Sequence, residues 1–135
     1  MSLPQDWRAI AQGVNAAVNA LPSVPDQPGR DFWQVAGSEG GDCEDKALAK
    51  LDGLLAAGFP IEHLRLASCW IGRTSPTEDG EAHVVLVLDA RDDQYVLDNL
   101  SNNVMPTAHF KGMGAVLNGI QKTGGSREWT PWALK

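Results

Sequence analysis

Three observations in the sequence predict an α+β fold. Apolar residues recur at three- and four-residue steps in two N-terminal segments. After Pro60 the apolar segments become short, Val-rich and bounded by polar turns. The two kinds of pattern occupy separate blocks instead of alternating, so helices should pack against an antiparallel sheet.

The first helix is expected over residues 7 to 21, where Trp7, Ile10, Ala11, Val14, Ala17, Val18 and Leu21 make one apolar face and Asp6 can cap. Pro22, Pro25 and Pro28 forbid helix and give an extended linker to Phe32-Trp33. A Gly-rich turn follows, Gly37 to Gly41. The second helix starts after a capping Asp42, presents Ala47, Leu48, Leu51, Leu54 and Leu55, and stops at Gly58 and Pro60. Strands are expected at Leu64 to Ile71, His83 to Leu88 and Tyr95 to Asp98, the last two as an antiparallel hairpin turning at Asp89 to Gln94. Met113 to Ile120 is compatible with a short helix or a strand, and Gly124-Gly125-Ser126 is a turn. Trp129 and Trp132 are expected to fold back onto the core. No repeat or internal boundary is visible, so residues 1–135 are expected to form a single domain.

Composition excludes several functions. The 135 residues are 43% hydrophobic and 21% charged, the balance of a globular protein. A net charge of −6, a pI near 4.9 and the lack of a basic run exclude a nucleic-acid binder. The N-terminus lacks the pattern of a secretory signal, and no apolar run is long enough for a membrane segment. A cytoplasmic protein as encoded is therefore the expectation, with periplasmic or virion-associated settings as alternatives. Oligomeric state is not legible.

The chemistry-bearing candidates begin with the two cysteines. Cys43 falls on the first turn of the second helix, where the dipole favours thiolate and unpaired N–H groups can hold an oxyanion. Gly40 and Gly41 let backbone and substrate approach. The adjacent anions Asp42, Glu44 and Asp45 oppose thiolate formation unless they meet a positive partner. Cys69 lies in an apolar strand and reads as a small buried hydrophobe. His83 opens a Val-rich strand and could serve as a base beside a cleft or stand on the surface. His63 and His109 read as structural. Asp98 ends the next strand, where it can orient His83, or it can simply open a turn. Together they form a Cys-His-Asp series in the order that thiol hydrolases use.

These residues resemble a known family. Gly41-Asp42-Cys43-Glu44-Asp45-Lys46-Ala47-Leu48-Ala49-Lys50 is similar to the helix motif of the bacterial transglutaminase-like cysteine proteinases, a group that includes adhesin-releasing periplasmic proteases. Ala82-His83-Val84-Val85-Leu86 and Val96-Leu97-Asp98-Asn99-Leu100 with Pro106 match further. So do the repeated Val14-Asn15 and Val18-Asn19, and Phe32-Trp33, over about residues 7 to 106.

The resemblance implies a papain/transglutaminase-like core with Cys43 as nucleophile, His83 as general base and acid, and Asp98 as orienting carboxylate. It also implies calcium bound through Asp42 and Glu44, which would neutralise those acids; the alternative is that they only cap the helix. Gly41 would contact substrate, and Trp33 would wall the cleft or pack in the core. The expected function is a peptidase or amidase acting on a protein or peptide through a thioester. The alternatives are a silent binding or assembly module on the same fold, such as a phage accessory protein, and amine transfer or cell-wall amide hydrolysis. Short chains of this kind resemble phage- and prophage-encoded proteins.

Overall fold

The computed structural model describes residues 3–21, 43–71, 81–98 and 101–132, without the side chains at 43, 44, 71, 81 and 82. Helices α1 (Trp7–Asn19) and α2 (Cys43–Ala56) precede strands β1 (Leu64–Ile71), β2 (Glu81–Asp89), β3 (Gln94–Leu97) and β4 (Met105–Pro106). A short α3 (Thr107–Gly112) then leads to β5 (Val116–Gln121) and β6 (Trp129–Pro131). The fold is α+β, as expected. The described strands form one antiparallel sheet in the order β4-β3-β2-β1-β5-β6.

The sheet buries both faces. Strand alternation sends Val84, Leu86 and Leu88 to one side with Leu64, Leu66 and Leu97, where Ala47 and Leu54 of α2 and Ala11 of α1 close the core. Val85, Val87 and Val96 line the other side, covered by Phe110 of α3 and by Trp132. The continuous Val/Leu run of β2 follows from this, because a central strand covered on both faces has no polar side. Leu54 is fully buried, and its truncation to Ala would cost about 2–5 kcal/mol.

Local signals set the helix ends. Asp6 occupies the N-cap position of α1, but its side chain makes no capping hydrogen bond. Gly58, at φ +97°, ends α2 in the left-handed region that a side chain rarely adopts. Of the two alternatives for Met113 to Ile120, the strand is the one found, as β5, and a short helix lies earlier, at Thr107–Gly112. Two expectations need correction. Trp132 folds onto the core and donates Nε1–H to Gln94 Oε1 at 2.9 Å, whereas Trp129 stays 42% exposed on edge strand β6. Leu55 is also exposed; the buried face of α2 carries Lys46 and Lys50 beside Ala47 and Leu54.

Candidate active site

The β2–β3 hairpin builds the centre of the site. Its register runs from Asp89↔Gln94 to Leu86↔Leu97. Asp98 follows directly on Leu97, where β3 ends, and the hairpin brings it beside the start of β2. Accordingly, His83 Nε2 lies 2.5 Å from Asp98 Oδ1. Both side chains are almost fully buried, at 4% and 3% exposure. The carboxylate engages Nε2, the ring nitrogen farther from the backbone. Across β1, His83 stands in register with the buried thiol residue Cys69.

Helix α1 fixes the chain that carries Asp98. Asn19 Nδ2 donates to the Asp98 backbone carbonyl at 2.9 Å and to the Ser101 carbonyl at 3.0 Å. Asn15 Nδ2 also donates to Ser101 at 2.9 Å. These bonds span the helix and the end of the hairpin and hold Asp98 where β3 leaves the sheet. Asn15 and Asn19 were visible in the sequence only as a repeated Val-Asn pair. Their spacing of four, which puts both on one helix face, was the available signal.

Lys50 is the residue that sequence reasoning missed. It lies on α2 with 1% exposure. Burial pushes its ammonium down from the ordinary 10.5 to about 7; Asp98 opposes that change and Lys46 adds to it. Lysine is rarely fully buried, so residue type alone does not point to this place. The signal that could have found it was its place in the repeat Ala47, Lys50, Leu54, where the helical period calls for an inward residue.

The other expected site residues fall as follows. Cys43 begins α2, and α2 packs against β2, the strand that carries His83. The side chains of Cys43 and Glu44 lie outside the described residues, as do Trp33, Gly41 and Asp42 entirely. Among the described residues no group of three or more His, Cys, Asp or Glu could hold a metal ion. His63 is structural, with Nδ1 at 2.7 Å from the Asp89 carbonyl oxygen. His109 is exposed on α3. A cavity of about 760 Å³ opens at the other end of the hairpin, lined by Arg65, Asp89, Asp92, Gln94 and Thr107 among others; neither His83 nor Asp98 borders it. No described helix is long and apolar enough to cross a membrane.

Comparison with known proteins places the fold. The solved structure of Legionella pneumophila LapG superposes with a TM-score of 0.69 at 22% identity, covering 91% of this chain and 67% of LapG. Its calcium-bound form gives 0.72 at 21% identity, covering 98% and 75%. The EGTA-treated form gives 0.72 at 21%, covering 97% and 70%. At that identity the likeness establishes the fold. No curated protein matches the chain. The family model described as bacterial transglutaminase-like cysteine proteinase (BTLCP) matches residues 2–111. With the model matching most of its length and the LapG fold shared, the chain belongs to the bacterial transglutaminase-like cysteine proteinases and is a transglutaminase-like cysteine peptidase.

Proposed function

We propose that the chain, as one domain over residues 1–135, hydrolyses a peptide or amide bond through Cys43, His83 and Asp98. The observation that carries the reading is the buried contact of His83 Nε2 with Asp98 Oδ1 at 2.5 Å. An acid on Nε2 fixes the ring, and in this reading Nδ1 takes the thiol proton. Cys43 opens α2, where the dipole favours the thiolate.

In this reading the thiolate attacks the carbonyl carbon, and backbone N–H groups at the start of α2 hold the oxyanion. The His83 imidazolium gives its proton to the departing amine, leaving a thioester on Cys43. Water, deprotonated by His83, releases the acid and restores the thiol. Gly41 would leave room for substrate backbone, and Trp33 would wall the cleft. The substrate is a protein or peptide.

Calcium is part of the proposal. A LapG structure is described as calcium-bound. Asp42 and Glu44 offer hard carboxylate oxygens of the kind that ion takes, and would hold it beside the nucleophile. When bound, it supplies positive charge that offsets the acids around Cys43.

The test is hydrolysis of a quenched-fluorescence peptide library by the purified protein, with and without calcium. Cys43→Ala should abolish cleavage and keep the circular dichroism spectrum. Cleavage that persists in that variant would overturn the triad. Calcium should raise the melting temperature and chelator lower it; indifference to both would reduce Asp42 and Glu44 to helix-capping residues.

A further inference from the structure

The chain leaves the sheet at the residue that carries the orienting acid. The paired register of β2 and β3 ends at Leu86↔Leu97, and Asp98 is the next residue. Its backbone carbonyl therefore needs a partner outside the ladder, and α1 supplies it.

Three polar residues of α1, at steps of three and four, serve the segment between β3 and β4. Gln12 Oε1 accepts from the Val104 backbone N–H at 2.7 Å. Asn15 Nδ2 donates to the Ser101 carbonyl. Asn19 Nδ2 donates to the same carbonyl, to Asn102 Oδ1 at 3.1 Å and to the Asp98 carbonyl at 2.9 Å. Of the three, Asn19 is the one that grips the residue in contact with His83.

The two amides are used one-sidedly. Their N–H groups are engaged, whereas Asn15 Oδ1 and Asn19 Oδ1 are buried with no donor among the described residues. A buried acceptor without a donor weighs against the fold, and leucine at either position would avoid it. What the amide supplies and leucine cannot is the N–H donor. Local rules of stability are broken mainly where function calls for it.

We propose that Asn19 is a positioning residue for hydrolysis: its amide pins the Asp98 backbone and so keeps the Asp98 carboxylate on His83 Nε2. This rests on the triad reading above. The carbonyl carbon is bonded directly to Asp98 Cα, so holding it fixes the direction in which the side chain leaves the backbone. The contact it serves has little tolerance, since both side chains are almost fully buried and meet at 2.5 Å. Asn15 ties the same segment to α1 through Ser101 without acting on the acid, which makes it a natural control.

The experiment compares Asn19→Ala, Asn19→Leu and Asn15→Ala with the parent and with Asp98→Asn. One reading is kcat and KM for a peptide that the parent cleaves, at a fixed calcium concentration. The other is the proton NMR spectrum, which needs no substrate. The His83 Nε2 hydrogen that meets Asp98 resonates far downfield of the amide protons, and its loss in Asp98→Asn assigns it.

Asn19→Ala should lower kcat about ten- to a hundredfold with KM little changed, and should shift or broaden the downfield signal. Asn15→Ala should lower the melting temperature and leave kcat and the signal in place, which is all that a merely structural role would do. Asn19→Leu fills the space without the unpaired oxygen, should show the same loss of kcat, and carries the test if Asn19→Ala does not fold.

A folded Asn19 variant with the parent's kcat and an unmoved signal would overturn the proposal. So would an equal loss of kcat in Asn15→Ala, because the effect would then belong to the segment and not to the Asp98 carbonyl. An Asp98→Asn protein that hydrolyses as fast as the parent would instead remove the triad reading, and the positioning role with it.

Discussion

The two ends of the β2–β3 hairpin carry similar residues to opposite effect. At one end Asp98 meets His83 with both side chains almost fully buried. At the other, Asp89 accepts two hydrogen bonds from Arg65, at 2.8 and 3.0 Å, with 27% and 16% of the two side chains exposed. Further round that turn, Asp92 and Arg8 are more than half exposed, and the Tyr95 hydroxyl donates to Asp92 at 2.7 Å. Water moderates every charge at the turn. At the site, helix packing excludes water, and the same carboxylate chemistry becomes strongly directional. Enclosure, not residue type, separates a structural acid from one that can orient a base.

The largest expected effect lies at the enclosed end. Asp98→Asn should lower the rate of peptide hydrolysis by about a hundredfold to ten-thousandfold, since the amide cannot hold the ring in the same proton state. A variant within a few-fold of the parent would mean that His83 needs no acid, and the contrast between the two ends would lose its meaning.

The next effect is a pH dependence. The unfolded chain keeps the Lys50 proton to about the ordinary 10.5, whereas the folded chain gives it up near 7. Between those values the unfolded state binds more protons, so raising the pH favours the folded state. Urea midpoints of the parent should therefore rise relative to Lys50→Met from neutral pH toward pH 10, and be parallel below neutrality. Parallel curves across the whole range would show that Lys50 titrates alike in both states.

Smaller effects belong to the turn. Arg65→Met removes a half-buried, two-pronged ion pair and should cost about 1 kcal/mol in urea unfolding, with little change in hydrolysis. A loss of activity as large as that of Asp98→Asn would couple the two ends and break the comparison. The smallest change is expected from Asp92→Ala. The hydrogen bond to Asp92 holds the Tyr95 phenol above its usual range, so the variant should lower that ionisation in an absorbance titration and leave the melting temperature in place.

Much of this was legible in the chain. The positions of α1, α2 and the hairpin follow from apolar periodicity, and Gly58 with Pro60 marks the end of α2. His83 and Asp98 were paired by placing them on neighbouring strands, and the register then brings them together. The tail was harder because Thr107–Gly112 is too short to show a helical period and Val116–Gln121 has an irregular burial pattern. Trp129 and Trp132 look alike in sequence, yet edge strand β6 leaves one in solvent and puts the other against Phe110.

The sequence by itself determined the fold class, the order of elements as far as β3 and the candidate series Cys43, His83, Asp98, because period, turn residues and motif spacing are local properties of the chain. Tertiary structure alone decided which charges are enclosed. Lys50 reads as a surface residue until α2 is laid on β2, and Asn19 reads as a helix-surface amide until it binds the Asp98 carbonyl. The reason is physical. The energy of a charge depends on how much water and which counter-charges surround it, and segments far apart in the chain set both.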